Sequence, residues 1–320
     1  MAEDSQNGRD VEQYLDPKVL GRIHRLDLRT RLVVEGFMAG LHRSPYLGLS
    51  VEFAQHREYA PGDDTRHIDW KVYSRSDRFF IKQYETETNV RCTFLVDASE
   101  SMQYAGAAGR KGGLNKFHYA SSVAASLALL LLNQQDAVGL TTFDEDILES
   151  LAPSSNPSQI KSVCRVLDGC AGSLRAKTSI EAVCIKLAEK LGSRGIVCLI
   201  SDLFVDDDDA LLRGLVRLAH AGHDVMVIHL LDEDELTFPF EGNMRFVGLE
   251  AAGTVMGEPR TLRDGYIEAI KGFILRTKRG CMQNRIDYTA VNTADNLGAV
   301  LANVLTKRAA YGKRSSSKRK

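Results

Sequence analysis

The chain has no apolar stretch able to span a bilayer. Its most apolar run, Val123 to Leu132, falls far short of the roughly 20 residues a spanning helix needs, and it reads as a helix buried in a core. Charge of one sign is not in excess either: 41 basic and 42 acidic residues leave a net charge of -1, which implies no bulk polyelectrolyte attraction. Met1 to Asp16 is polar and acidic, so no secretory leader is expected. The six cysteines, Cys92, Cys164, Cys170, Cys184, Cys198 and Cys281, form no C-x-x-C pair and lie mostly in apolar segments. They read as reduced core residues of a cytoplasmic protein.

The usual catalytic signatures are missing too. The eight histidines include no H-E-x-x-H, and His220 and His223 flank Gly222 at a helix end, where capping is the simpler role. Gly106, Gly109, Gly112 and Gly113 spell neither G-x-x-x-x-G-K-[ST] nor G-x-G-x-x-G, and they read as a mobile loop. No G-x-S-x-G elbow is present, which argues against an α/β-hydrolase.

What is present from Arg91 onward is an alternation of strand and helix. Apolar, β-branched runs at Val90 to Val96, Ala137 to Phe143, Ile196 to Ser201, Asp224 to Leu231 and Ile286 to Val291 predict strands, and Ile147 to Leu151 a short edge strand. Between them lie predicted helices over 116–133, 157–167, 179–191, 207–221, 262–279 and 294–307, with a small hairpin over 246–255. This rhythm predicts an α/β fold with a doubly wound, mainly parallel sheet. The expected organisation is a disordered terminus over 1–10, an N-terminal helix and β-hairpin module over 11–89, the α/β domain over 90–308 and a basic tail over 309–320. In the module, 11–34 reads as a helix, Pro61-Gly62 as a turn and Phe79 to Tyr84 as a strand leading towards the central one.

The central strand stops abruptly at Asp97 and continues Ala98-Ser99-Glu100-Ser101. An acid at a strand's carboxyl end stands where open α/β sheets bind ligands, and two alternate hydroxyls can converge beside it. Hard oxygen donors of low formal charge suit Mg²⁺ or Mn²⁺. Asp202 ends a second buried strand in the same way. Thr178 opens a helix and is either a further oxygen donor or, with Ser179, the helix cap. The run Asp206 to Asp209 is explained by the dipole of the helix that it opens.

With these residues in view, Asp97-Ala98-Ser99-Glu100-Ser101, a later Thr178 and a strand-ending Asp202 resemble the metal-ion-dependent adhesion site of von Willebrand factor A domains. The upstream block Tyr59-Ala60-Pro61-Gly62-Asp63-Asp64-Thr65-Arg66-His67-Ile68-Asp69-Trp70 resembles the signature of the bacterial "domain of unknown function 58" family. The resemblance implies that Ser99 and Ser101 bind a divalent ion directly and that Asp97, Thr178 and Asp202 do so directly or through water. It also implies an open coordination position for a partner's acidic side chain. One departure is that Ala176-Lys177 precedes the threonine where such domains often carry Gly-Gly. For Asp63, Asp64, Arg66, Asp69 and Trp70, an Arg-carboxylate network around a buried Trp, or a docking face, is expected.

The resulting expectation is a non-enzymatic, cytoplasmic interaction protein that uses Mg²⁺ to dock a partner carboxylate. Family gene neighbourhoods imply a MoxR-type AAA+ ATPase as the partner, in protein assembly or maturation. The alternative is an Mg²⁺-dependent phosphoester hydrolase, for which the sequence offers no evident nucleophile or base. The tail Lys313 to Lys320 reads as a solvated end, with nucleic-acid contact as the minor reading.

Overall fold

The computed structural model describes Leu20 and residues 25–41, 56–58, 73, 78–82, 90–106, 109, 112–171, 178–192, 194–205, 207–242, 244–247 and 254–317. Asp63, Asp64, Arg66, Asp69, Trp70, Ala176, Lys177 and Asp206 lie outside the described residues, as do 1–10 and 318–320. Two units are present: Met1–Gly40 together with Val90–Lys320, and Leu41–Asn89. Helix α1 (Leu26–Leu41) therefore belongs, except for its last residue, to the larger unit rather than to a separate N-terminal module. Its Val33, Val34 and Phe37 are buried, an apolar stripe at helical spacing that needs a core to cover it.

In the smaller unit, strands β1 (His56–Glu58) and β2 (Phe80–Lys82) pair antiparallel, with His56 opposite Lys82. Of the strand expected over Phe79 to Tyr84, Phe80–Lys82 is present, and Gln83 and Tyr84 lie outside the described residues.

The larger unit is built on β3 (Arg91–Asp97), β4 (Ala137–Phe143), β5 (Ile147–Ser154), β6 (Ile196–Ser201), β7 (Asp224–Leu231) and β10 (Asp287–Asn292). Strands β8 (Met244–Val247) and β9 (Thr254–Gly257) form a separate hairpin. The helices between are α2 (Lys116–Asn133), α3 (Gln159–Cys170), α4 (Ile180–Lys190), α5 (Asp208–His220), α6 (Glu233–Thr237) and α7 (Pro259–Gln283), with α8 (Leu297–Ser317) last. Strand order is β10-β7-β6-β3-β4-β5, all parallel except the antiparallel edge strand β5. This is the doubly wound α/β arrangement: the chain steps outward from β3 through β4 and β5, then returns to the other side of β3 at β6.

Strands β3, β4 and β6 are apolar without alternation because both sheet faces are covered. On one face Leu95, Val197, Leu199, Val225 and Val227 pack with Ile180, Val183 and Leu187 of α4, Leu211, Leu215 and Leu218 of α5, and Cys281 of α7. On the other, α2 contacts β3, β4, β6 and β7, and the run Val123 to Leu132 lies in this buried helix. All six cysteines are buried and unpaired by disulfide, as expected. Among the described residues, no helix is long and apolar enough to cross a membrane.

The last helix corrects one expectation. Instead of ending at Lys307 it continues through Ser317, taking in residues expected to be a disordered tail. Alanine, lysine and arginine, which make up most of residues 307–314, are good helix formers, so local propensity favours this continuation.

Candidate functional site

Asp97 is the last residue of β3, and Asp202 follows the last residue of β6; these two strands are neighbours. The site therefore lies at the switch point, where the connections from β3 and β6 leave in opposite directions and open a crevice at the carboxyl ends. Asp97 is fully buried, and its position is fixed from three sides. The backbone N–H of Ser99 donates to its Oδ1 at 2.9 Å, Thr178 Oγ1 donates to both oxygens at 3.0 and 3.1 Å, and Ser201 Oγ donates to Oδ2 at 2.5 Å. The hydroxyls of Ser99 and Ser101 lie 3.1 Å apart, and Ser101 is near enough to Asp202 to favour its charged form. A short 3₁₀ turn over Glu100–Gln103, with Met102 buried beneath it, folds the two serines back towards the acids.

Thus Asp97, Ser99, Ser101, Thr178 and Asp202, spread over more than a hundred residues of sequence, form one connected cluster. Thr178 turns its hydroxyl to Asp97 rather than capping α4, whose N-cap position is Ser179 without a side-chain cap bond. Of the acidic run, Asp207 caps α5 by accepting from Asp209 N, as expected, and Asp208 pairs with Arg276 at 2.8 Å.

Residues the sequence reading passed over complete the site. Lys116, the first residue of α2, is buried with its ammonium 2.9 Å from Asp202 Oδ2 and 2.5 Å from Glu235 Oε1. The Tyr104 ring lies over it, its centroid 5.6 Å from Nζ. Glu235 is aimed by the capping box of α6, in which its Oε2 accepts from Asp232 N at 2.7 Å while Asp232 Oδ1 accepts from Asp234 N at 3.0 Å. Asp232 Oδ2 also accepts from Gly106 N and from Thr293 Oγ1, each at 3.1 Å, tying the loop after β3 to the ends of β7 and β10. A signal for Lys116 was available: it is the one fully charged residue in the otherwise apolar and small-polar α2 sequence. Asp232 ends the β7 run just as Asp97 ends β3 and Asp202 follows β6, yet inside Asp232-Glu233-Asp234-Glu235 it reads as one of several solvated acids.

The electrostatics follow from burial. Desolvation, reinforced by the like charge of Asp202, pushes Asp97 up to about 6. Burial opposes ionisation of Asp202 as well, but the Lys116 ammonium outweighs it and holds that carboxyl below its ordinary value. For Lys116 burial favours the neutral amine; Asp202 and Glu235 together overcome this and keep it charged.

Asp202 and Glu235 share a single ammonium and Asp97 is buried beside Asp202, so negative charge is left over in a mostly buried place. That excess, with an all-oxygen donor set of two aspartates and three hydroxyls, fits a small hard divalent cation. Among the described residues, no cluster of three or more His, Cys, Asp or Glu side chains is arranged to hold a metal. The fit rests on hydroxyls as much as on acids.

At the rim, Leu203 is buried at a positive φ of 54°, costly for a branched side chain. That turn sends the next residue, Phe204, outward, and it is 63% exposed. Its backbone N–H donates to Asp202 Oδ1 at 3.2 Å, so both oxygens of Asp202 already accept a hydrogen bond.

His229 on β7, opposite Ser201 in the ladder, is buried with Nδ1 2.6 Å from the Tyr288 hydroxyl. Burial depresses it from 6.5 to about 4, against the pull of Asp202. The unfolded chain takes up this proton below about 6.5 and the folded one only near 4, so its contribution to stability is lost as pH falls through that window. Relative to His229→Gln, the wild type is expected to lose about 3 kcal/mol between pH 7 and pH 4, measured by urea denaturation across that range. A constant difference would rule this out.

Two sets of known proteins resemble the chain. Uncharacterized proteins of Mycobacterium bovis and Mycobacterium tuberculosis are each 26% identical over 281 residues, covering 83% of this chain and 83% of theirs. Solved structures with similar chains include BatB from Bacteroides thetaiotaomicron (16% identity, TM-score 0.43, 69% of this chain and 98% of that one). Another is an aerotolerance-related membrane protein from Bacteroides fragilis (17%, 0.44, 68% and 97%). The family described as "Protein of unknown function DUF58" matches residues 55–272. That span covers most of the α/β unit and its site, and the chain belongs to the DUF58 family.

Proposed function

We propose that this protein is a non-enzymatic interaction module that binds Mg²⁺ in the Asp97 cluster and docks a carboxylate of a partner protein there. The observation that carries the reading is the convergence of Asp97, Ser99, Ser101, Thr178 and Asp202 at the switch point of the sheet. When bound, the ion supplies a Lewis-acidic position for an anionic oxygen. Ser99 and Ser101 are the direct donors in this reading. Asp202, whose two oxygens are engaged by Lys116 and Phe204 N, acts through water, and Asp97 orients Thr178 and the Ser99 loop. Exposed Phe204 gives the partner an apolar contact beside the polar one, the usual composition of an interface anchor. The family resemblance points to a MoxR-type AAA+ ATPase as the partner class, in protein assembly or maturation.

The test is a pull-down with tagged protein from its own cell lysate, with Mg²⁺ or with chelator, using wild type, Asp97→Ala and Phe204→Ala. Partners retained by wild type in Mg²⁺ are expected to be lost with chelator and with Asp97→Ala, and reduced at least severalfold with Phe204→Ala, an AAA+ ATPase among them. An identical partner list in all samples would overturn the docking role.

A further inference from the structure

Lys116 is an unexpected residue at its position. As the first residue of α2 it places a cation where the helix dipole favours an anion. It is also buried to 2% exposure, where an ammonium is costly unless paired. A residue that served only to fill space would not carry this charge. Its two partners come from different elements: Asp202, at 2.9 Å, belongs to the Asp97 cluster, and Glu235, at 2.5 Å, to α6 and its capping box.

We propose that Lys116 is a built-in competitor of the divalent ion, its ammonium and the ion sharing Asp202, with Glu235 setting the division by drawing the ammonium away. The proposal rests on the reading of the Asp97 cluster as a cation site. A fixed positive charge beside a divalent ion lowers its affinity, and the hydrogen bond to Lys116 occupies one oxygen of Asp202. Glu235 offers the ammonium an alternative anion held rigidly by the backbone N–H of Asp232. The pair therefore tunes the site towards weak, exchangeable occupancy, so that partner docking can respond to the ion.

The two residues predict shifts of opposite sign. Titrating full-length protein with MgCl₂ in a calorimeter, Lys116→Met is expected to bind on the order of tenfold more tightly than wild type. Glu235→Gln, which leaves the ammonium to Asp202 alone, is expected to bind severalfold more weakly. Lys186→Met, which removes an exposed ammonium paired with Asp146, changes net charge equally and is expected to leave affinity unaltered. If Lys116→Met does not fold, Glu235→Gln decides alone. Mg²⁺ binding by wild type with either variant unchanged, or shifted the other way, would overturn the competition and leave the cation site standing. No Mg²⁺ binding by wild type, Lys116→Met or Glu235→Gln would remove the cation site and the competition with it.

Discussion

Gly106→Ala is expected to cost about 3 kcal/mol of stability, out of proportion to the single methyl group it adds. A Cβ at this position would lie 1.8 Å from Asp232 Oδ1 and 2.6 Å from Asp232 Cγ. Asp232 cannot withdraw cheaply. Its oxygens accept from Gly106 N, Asp234 N and Thr293 Oγ1, and its own backbone N–H holds Glu235. Moving it would leave buried donors unsatisfied, at about 1–3 kcal/mol for each group. The contrast is Gly169→Ala near the end of α3, where a Cβ meets nothing within 4 Å. There the change is expected to be neutral or to stabilise by up to about 1 kcal/mol, because alanine is the better helix former. Chemical denaturation of the two variants beside wild type measures both effects; equal effects would mean that the loop after β3 yields freely.

Lys116→Met is expected to destabilise the protein in chelator by about 3–5 kcal/mol. The substitution keeps the length of the side chain but leaves buried Asp202 and mostly buried Glu235 without the cation they share. Removing one member of a buried ionic set costs more than the set ever contributed, because the remaining charges keep their desolvation penalty. Mg²⁺ is expected to return part of the loss, since a cation bound only by the folded state stabilises it by mass action. Thermal or urea unfolding with and without Mg²⁺ distinguishes the two contributions. A loss below about 1 kcal/mol in chelator would mean that the ammonium is not the group holding these carboxylates ionised.

Much of the architecture was legible in the sequence because burial writes itself into local pattern. Ala137–Phe143, Ile196–Ser201 and Asp224–Leu231 end where their apolar runs end, and Asp97 and Asp202 stand out because a buried run stops abruptly at a charge. Thr178 was undecided between ligand and cap because either role needs only a hydroxyl before a helix. The approach of Asp97 across the sheet end turns that hydroxyl away from the helix and towards the acid.

The sequence by itself determined the strand and helix alternation, hence the doubly wound sheet and the acids at its carboxyl ends, since each is a property of a few neighbouring residues. Only the tertiary structure decided which charges meet. Lys116 reaches Asp202 across 86 residues and Glu235 across 119. Those encounters follow from the strand order β7-β6-β3, which places the end of β7 and the start of α2 around the same crevice. Local pattern carries no record of such an order, because it is set by pairing between strands far apart in the sequence. A lysine at the start of an apolar helix looks the same whether it faces water or a pair of buried carboxylates.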